Sequence, residues 1–274
     1  MNVVNFLSHQ QTLGKCYTTI NSYRSALSSV LPYIDSVPVG KHHLVIRLMR
    51  GIFNENPPRP RYTNTWQVSQ VLDYLCSLDD NQKLELLPLS EKLASLAALV
   101  TAQRVQTLSF LDISCMNISD DSAVFQILDL LKTTTIKDVS KQMVELPAFP
   151  SNQKLCVLST LKEYLLRTKP FRESNGETRL FISSKKPHCR VTTSTIARWL
   201  KNTLSKAGID ISTFSAHSYR SASSTSAFGK GVTVQEIMSK ANWSNAKTFR
   251  DFYYKPTEVQ EPTFASSILS QSTK

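Results

Sequence analysis

Along most of the chain, apolar residues recur three or four positions apart among polar ones. This period is typical of amphipathic α-helices with one buried face. Two such sets lie near the start of the sequence, one formed by Ile20, Tyr23, Leu27, Val30 and Leu31 and the other by Leu44, Val45, Leu48 and Ile52. They predict a small helical domain over residues 1–56.

Prolines interrupt the helical pattern directly after this first domain. Pro57, Pro58 and Pro60 fall within four residues, and proline removes a backbone donor and favours extended chain. We therefore predict a linker at residues 57–62. Basic residues cluster on and before it, at Lys41, Arg47, Arg50, Arg59 and Arg61. Such a cluster is typical of a solvated linker and also of a segment that lies against a phosphate backbone.

A second, larger domain is predicted over residues 63–256. Helical periodicity covers the segments near 66–78, 90–102, 107–113, 154–168, 194–206, 217–228, 233–241 and 245–254. Two β-prone segments, 123–130 and 142–146, flank a polar connection and predict an antiparallel hairpin. The predicted fold class is mainly α with a small antiparallel β-hairpin or sheet. A polar tail, 257–274, retains Phe264, Ile268 and Leu269, enough for one short docking helix.

Composition narrows the range of functions. Lys and Arg number 32 against 21 Asp and Glu, and the net charge of +11 favours a polyanionic partner such as nucleic acid. Only 7 residues are glycine, and neither GxGxxG nor GxxxxGK[ST] occurs, so we expect no nucleotide cofactor. The five cysteines are scattered without a CxxC pair, which predicts reduced thiols rather than a metal site. No run of about 18 apolar residues exists, so we expect a soluble, intracellular protein with no membrane partner.

The second domain also contains side chains suited to phosphodiester chemistry. They are Arg104, Lys132, His217, Arg220 and the adjacent pair Tyr253 and Tyr254. Each one alone is typical of an ordinary surface or rim residue. Together they favour a reaction without metal, because guanidinium groups bind phosphate oxygens and neutralise transition-state charge, while Lys, His and Tyr supply proton transfer and a nucleophile. A metal-dependent nuclease would need clustered carboxylates, which these segments lack.

The order and spacing of these residues resemble the tyrosine recombinase (phage integrase) family. The matching segments are 101–108 around Arg104, 131–133 around Lys132, 217–220 with its His-x-x-Arg motif, 241–244 around Trp243, and 248–254 with the two tyrosines. The first domain resembles the family's helical core-binding domain, of the kind found in recombinases of DIRS-like retrotransposons and related eukaryotic mobile elements. Three positions depart from the usual pattern: Thr107 replaces an acidic residue, Tyr219 a leucine, and Trp243 the commoner histidine.

The resemblance implies an enzyme that cleaves and rejoins double-stranded DNA through a 3′-phosphotyrosyl bond, with no metal, ATP or other cofactor. By this resemblance, Arg104 and Arg220 bind the scissile phosphate and Lys132 protonates the leaving 5′-oxygen. His217 assists as proton acceptor or donor, and Trp243 donates a hydrogen bond to the phosphate.

The resemblance also implies that Tyr253 is the nucleophile, with Tyr254 as the alternate. Phe252 occupies the nine-residue offset after Trp243 that is found in many family members, whereas Tyr253 lies at ten. One residue rotates a helical side chain by about 100°, so this offset decides which phenol enters the site.

Further expectations concern DNA contacts and assembly. We expect a homo-tetramer on paired DNA sites and a nuclear location. The residues expected to contact DNA phosphates are Arg24, Arg47, Arg50, Arg59, Arg61 and Lys247. Several alternatives stay open: Lys137 or Lys141 in place of Lys132, a type IB topoisomerase, and a degenerate or domesticated copy that binds DNA without cleaving it. A purely structural basic domain is a further alternative, which the five ordered matches disfavour.

Overall fold

The computed structural model describes residues 2–131, 142–243 and 245–255 of the chain. It is mainly helical with one small antiparallel sheet, which confirms the predicted fold class. The chain divides into two units, Met1–Arg61 and Tyr62–Lys274, and the division falls within the proline- and arginine-rich segment 57–62. Among the helices of the described residues, none is both long enough and apolar enough to cross a membrane.

Within the described residues, the first unit contains three α-helices: α1 (Asn2–Thr12), α2 (Tyr17–Val30) and α3 (His43–Glu55). Their shared core contains Leu7, Ile20, Val45, Met49 and Ile52. The core residues of α3 recur at four- and three-residue spacing and so form one buried stripe of that helix. Gly40, just before α3, packs closely against α2, because a Cβ atom there would lie only 2.9 Å from Cβ of Ser28.

The second unit contains eight helices within the described residues. They are α4 (Val68–Ser77), α5 (Leu86–Thr101), α6 (Val105–Ser109), α7 (Val157–Asn175), α8 (Thr193–Lys206), α9 (Ser218–Gly229), α10 (Val234–Ala241) and the single turn α11 (Ala246–Thr248). Helix α5 is apolar around most of its circumference, so it is buried at the centre and packs against α7, α8 and α9. The site described below forms at the C-terminal end of this central helix.

A three-stranded sheet packs against these helices in the order β1 (Met116–Ile118), β2 (Ser122–Gln126) and β3 (Met143–Pro147). All neighbours are antiparallel, with Met116 opposite Phe125 and Phe125 opposite Val144. Alternate residues of β2 and β3 are buried, as the period of a strand requires. The predicted hairpin is therefore confirmed as β2 and β3, whereas β1, only three residues long, was missed.

Candidate active site

Arg104 lies in the sharp turn between α5 and α6. Ala102 ends α5 in the left-handed conformation, with φ of 49°, and its amide still donates to the carbonyl oxygen of Ala98. Arg104 follows in an extended conformation at the N-terminal cap of α6 and is half-buried. This turn thus contributes two groups to the site, the carbonyl of Ala102 and the guanidinium of Arg104.

Arg220 lies in the first turn of α9 and is only 1% exposed. Its Nη1 donates to the carbonyl oxygen of Ala102 and its Nη2 to that of Ala241, each at 2.6 Å. Its guanidinium carbon lies 4.4 Å from the ring centre of Trp243 and 5.3 Å from that of Tyr253, within the range of cation–π attraction. Arg220 therefore links the end of α5, the end of α10 and the segment that carries Tyr253.

Trp243 follows the C-terminus of α10. Asn242 ends the helix in the left-handed conformation, and the amide of Trp243 donates to the carbonyl oxygen of Met238 at 2.9 Å. The indole Nε1 is buried and has no hydrogen-bond partner among the residues that the structure describes, and the same holds for Nε of Arg220. Buried donors without partners are rare because they are costly, so these two N–H groups mark a place where an acceptor would be stabilised.

A π-helical turn, Phe249–Tyr253, contains Tyr253 as its last residue, and Tyr254 follows directly after it. It closes with a hydrogen bond from the amide of Tyr254 to the carbonyl oxygen of Phe249 at 2.8 Å, which spans five residues. The Tyr253 ring lies 4.5 Å from the ring of Trp243 and 5.6 Å from the ring of His217. A π turn holds one residue more than an α turn, and it thereby accommodates the ten-residue offset of Tyr253.

Tyr254 lies against a different part of the protein. Its ring centre is 5.2 Å from that of Phe228 and 5.9 Å from that of Phe249, and the residue is 44% exposed. Of the two tyrosines, Tyr253 is thus the one whose ring contacts Arg220, Trp243 and His217.

Two positive charges and one imidazole dominate the electrostatics of the site. Burial, followed by the charge of Arg104, lowers the pKa of Arg220, and Arg220 still carries its proton at neutral pH. Partial shielding of the His217 ring from water, followed by the charges of Arg220 and Arg104, lowers the pKa of His217, although the residue keeps an exposed side. Among the ion pairs in the described part of the chain, none involves Arg104 or Arg220. The site therefore favours an anion, and the neutral imidazole can accept a proton.

The sequence model of the phage integrase family matches residues 62–259, which is more than half of the chain. The chain belongs to the phage integrase family. It is thus an enzyme of the site-specific recombinase and integrase type, and the site described above lies inside the segment that the family model matches. Among curated protein sequences, none matches this chain.

Solved structures of phage integrase relatives share the fold. A XerH site-specific recombinase bound to a palindromic difH substrate, in a post-cleavage complex, is 17% identical, with a TM-score of 0.60 over 97% of this chain and 70% of that one. The Tn1549 transposon integrase in complex with transposon right-end DNA is 16% identical, with a TM-score of 0.59 over 98% and 83%. A λ integrase dimer (residues 75–356) bound to a COC′ core site is 16% identical, with a TM-score of 0.52 over 94% and 80%. At these identities the likeness concerns the fold.

The structure brings five of the predicted site residues of this phage integrase together: Arg104, His217, Arg220, Trp243 and Tyr253. Lys132 and its alternates Lys137 and Lys141 lie outside the described residues, as do Phe264, Ile268 and Leu269 of the tail. Of the predicted DNA contacts, Arg24, Arg47, Arg50, Arg59 and Arg61 lie in the first unit, and Lys247 is exposed on α11.

Sequence reasoning missed the groups that hold these side chains in place. The carbonyls of Ala102 and Ala241 receive the Arg220 guanidinium, and Gln103 donates from Nε2 to the carbonyl oxygen of Lys240 at 2.7 Å. These contacts use backbone atoms of residues more than 20 positions away, so no side-chain pattern in the sequence signals them. Gln103 is buried next to Arg104, and no signal in the sequence indicated that this polar residue would be buried.

Proposed function

We propose that the chain cleaves and rejoins double-stranded DNA through a covalent 3′-phosphotyrosyl intermediate on Tyr253. The observation that carries the proposal is the packing of the Tyr253 ring against the guanidinium of Arg220 and the rings of His217 and Trp243. A phenol, two guanidiniums and a neutral imidazole together supply a nucleophile, charge neutralisation and a proton acceptor. The reaction needs no metal ion and no ATP.

In the proposed first step, the Tyr253 phenol oxygen attacks the scissile phosphorus as its proton passes to His217. The bond between phosphorus and the 5′-oxygen breaks, and Lys132 protonates that oxygen by analogy with the family. Arg104 and Arg220 neutralise the non-bridging oxygens. Because a phosphodiester is exchanged for a phosphotyrosyl ester, the bond energy is retained, and a 5′-hydroxyl of a second strand reverses the step to join a new partner.

The rings of Trp243 and Tyr253 cover Arg220, so binding of a phosphate requires a local rearrangement. Both Nη atoms of Arg220 donate to backbone carbonyls, and the residue is 1% exposed. We propose that the Tyr253 ring moves away from the guanidinium as DNA binds, which opens Nε of Arg220 and Nε1 of Trp243 to a phosphate oxygen. These two donors then acquire the acceptor that they lack within the described residues.

Basic residues of the first unit are proposed to bind the DNA backbone. Arg47 and Arg50 are exposed on α3, on the side of the helix opposite its buried stripe. Arg24 and Lys41 line a shallow pocket of about 460 Å³ together with the serines of α2, and Nε of Arg24 has no partner among the described residues. Guanidinium, ammonium and hydroxyl donors in one concave surface suit phosphate oxygens.

We also propose that the chain acts as a homo-tetramer on paired DNA sites, with its tail docked on a neighbouring copy. The dimeric state of the λ integrase complex on DNA supports assembly of this kind. Deletion of residues 257–274 is expected to weaken self-association on DNA, measured by sedimentation of the protein–DNA complex. Unchanged self-association contradicts the docking role of the tail. Activity in a mobile element and a nuclear location stay predictions from the family resemblance.

The covalent step is tested with nicked suicide DNA substrates of mixed sequence, in chelator and without ATP, followed by a denaturing gel. The wild-type chain is expected to give a covalent protein–DNA band that is lost in Tyr253→Phe and retained in Tyr254→Phe. A band lost in Tyr254→Phe instead assigns the nucleophile to the alternate tyrosine. Salt-sensitive binding without any band favours the inactive DNA-binding copy, and relaxation of supercoiled DNA without strand exchange favours the topoisomerase.

A further inference from the structure

One hydroxyl group holds the backbone on both sides of Tyr254. Oγ1 of Thr225 donates to the carbonyl oxygen of Tyr253 at 3.1 Å and accepts from the amide of Lys255 at 3.2 Å. Thr225 is 7% exposed and lies on α9, five residues after Arg220. The helix that carries the buried arginine thus also carries the group that fixes the segment of Tyr253.

The backbone needs this contact because it leaves the helix directly after the π turn. The turn ends at Tyr253, and the next two described residues form no further helical turn. The terminal carbonyls of a helix need hydrogen-bond donors from outside the helix. The Thr225 hydroxyl supplies the donor for Tyr253 and, with its lone pair, the acceptor for Lys255.

A second contact also holds this segment. Nζ of Lys255 donates to the carbonyl oxygen of Tyr62 at 2.9 Å and lies 5.0 Å from the centre of the Tyr62 ring. The backbone after Tyr253 is therefore bound to α9 and to the start of the second unit. A shift of this segment by one residue towards its N-terminus would break the Thr225 contacts and bring Tyr254 to the position of Tyr253.

We infer that Thr225 is a positioning residue, which sets the register of the last segment so that Tyr253 and not Tyr254 faces the scissile phosphate. The inference rests on the proposed function, since it assigns a role to a residue of the same site. Thr225 acts through the backbone of Tyr253 and does not itself contact the reacting atoms.

The test uses Thr225→Val, which keeps the shape of the side chain and removes its hydroxyl, and Thr225→Ser, which keeps the hydroxyl. Single-turnover adduct formation on suicide DNA is expected to slow by about 10- to 100-fold in Thr225→Val, because small misplacement of a reacting group has effects of this size. DNA affinity is expected to stay within about twofold, and mapping of the adduct by mass spectrometry is expected to show a larger share on Tyr254. Thr225→Ser restores both rate and tyrosine choice.

Thr160→Val is the matched control. Thr160 is buried on α7, where its hydroxyl also donates one hydrogen bond, to Cys156, and accepts one, from Asn81. Removal of the Thr160 hydroxyl is expected to lower the free energy of unfolding about as much as Thr225→Val does. It is expected to leave the rate of adduct formation per folded molecule unchanged. The inference is overturned if adduct formation slows equally in Thr225→Val and Thr160→Val. It is also overturned if Thr225→Val forms adduct at the wild-type rate and only on Tyr253. A wild-type chain that forms no adduct overturns the proposed function, and the role of Thr225 with it.

Discussion

Arg220 is predicted to stabilise the fold as well as to bind phosphate, whereas Arg104 is predicted to affect only the chemistry. In Arg220→Lys, a single ammonium replaces two guanidinium nitrogens that donate to the carbonyls of Ala102 and Ala241. One of these buried carbonyls loses its donor, which costs about 1–3 kcal/mol. The contact of the planar guanidinium with Trp243 is weakened as well, at roughly 0.5–2 kcal/mol.

Together these losses predict that Arg220→Lys lowers the free energy of unfolding by about 1.5–5 kcal/mol, or the melting temperature by roughly 3–20 °C. Arg104→Lys is the matched control, because Arg104 is half-buried and donates no side-chain hydrogen bond within the described part of the chain. Its effect on stability is expected to stay below about 1 kcal/mol, as is usual for substitutions away from buried networks. Both variants are expected to lose most adduct formation.

Urea unfolding followed by tryptophan fluorescence provides the assay. Trp66, Trp199 and Trp243 all lie in the second unit, so their fluorescence reports the unfolding of that unit. Equal midpoints and slopes for Arg220→Lys and Arg104→Lys would refute the structural role assigned to Arg220. A large loss of stability in Arg104→Lys would also contradict it.

Three further predictions concern stability and DNA binding. The surroundings of His217 lower its pKa, so the unfolded chain takes up a proton at this residue at a higher pH than the folded chain does. The free energy of unfolding that the neutral ring contributes is therefore present above about pH 6.5 and is lost as the pH falls below that value. Urea unfolding of wild type and His217→Gln across this pH range measures the loss. Lys92 is 1% exposed and its Nζ has no hydrogen-bond partner among the described residues, so Lys92→Met is expected to raise the free energy of unfolding by about 1–3 kcal/mol, and a fall would contradict this account. If Arg50 contacts a phosphate, Arg50→Ala reduces the salt dependence of DNA binding by about 0.9 in log Kd against log salt, while an unchanged slope excludes the contact.

Local patterns in the sequence were sufficient to predict most helices. The predicted helix at 233–241 is an example: Thr233 followed three residues later by Glu236 is the sequence pattern of a capping box, and the structure contains both of its reciprocal hydrogen bonds. The β-prone residues of the segments 123–130 and 142–146 likewise predicted β2 and β3. Both signals depend on neighbours within a few positions, which a single sequence displays directly.

Contacts between distant segments could not be predicted in this way. The carbonyl of Ala241 receives Arg220, and the hydroxyl of Thr225 holds the backbone around Tyr254, but neither partner has a distinctive side-chain signal. The π turn was also hidden, because it changes the number of residues in a turn without changing their types. For this reason the spacing of the tyrosines left two candidates, and only the three-dimensional arrangement separates their surroundings.

The central claim, that Tyr253 forms a covalent bond with DNA, is tested most directly on the unmutated chain. The protein is incubated with suicide DNA in chelator, the covalent fraction is digested with protease and nuclease, and the nucleotide-bearing peptide is sequenced by mass spectrometry. The account predicts a 3′-phosphonucleotide on Tyr253, within the peptide around residues 251–255. A nucleotide on Tyr254, on another residue, or on no peptide despite DNA binding contradicts it.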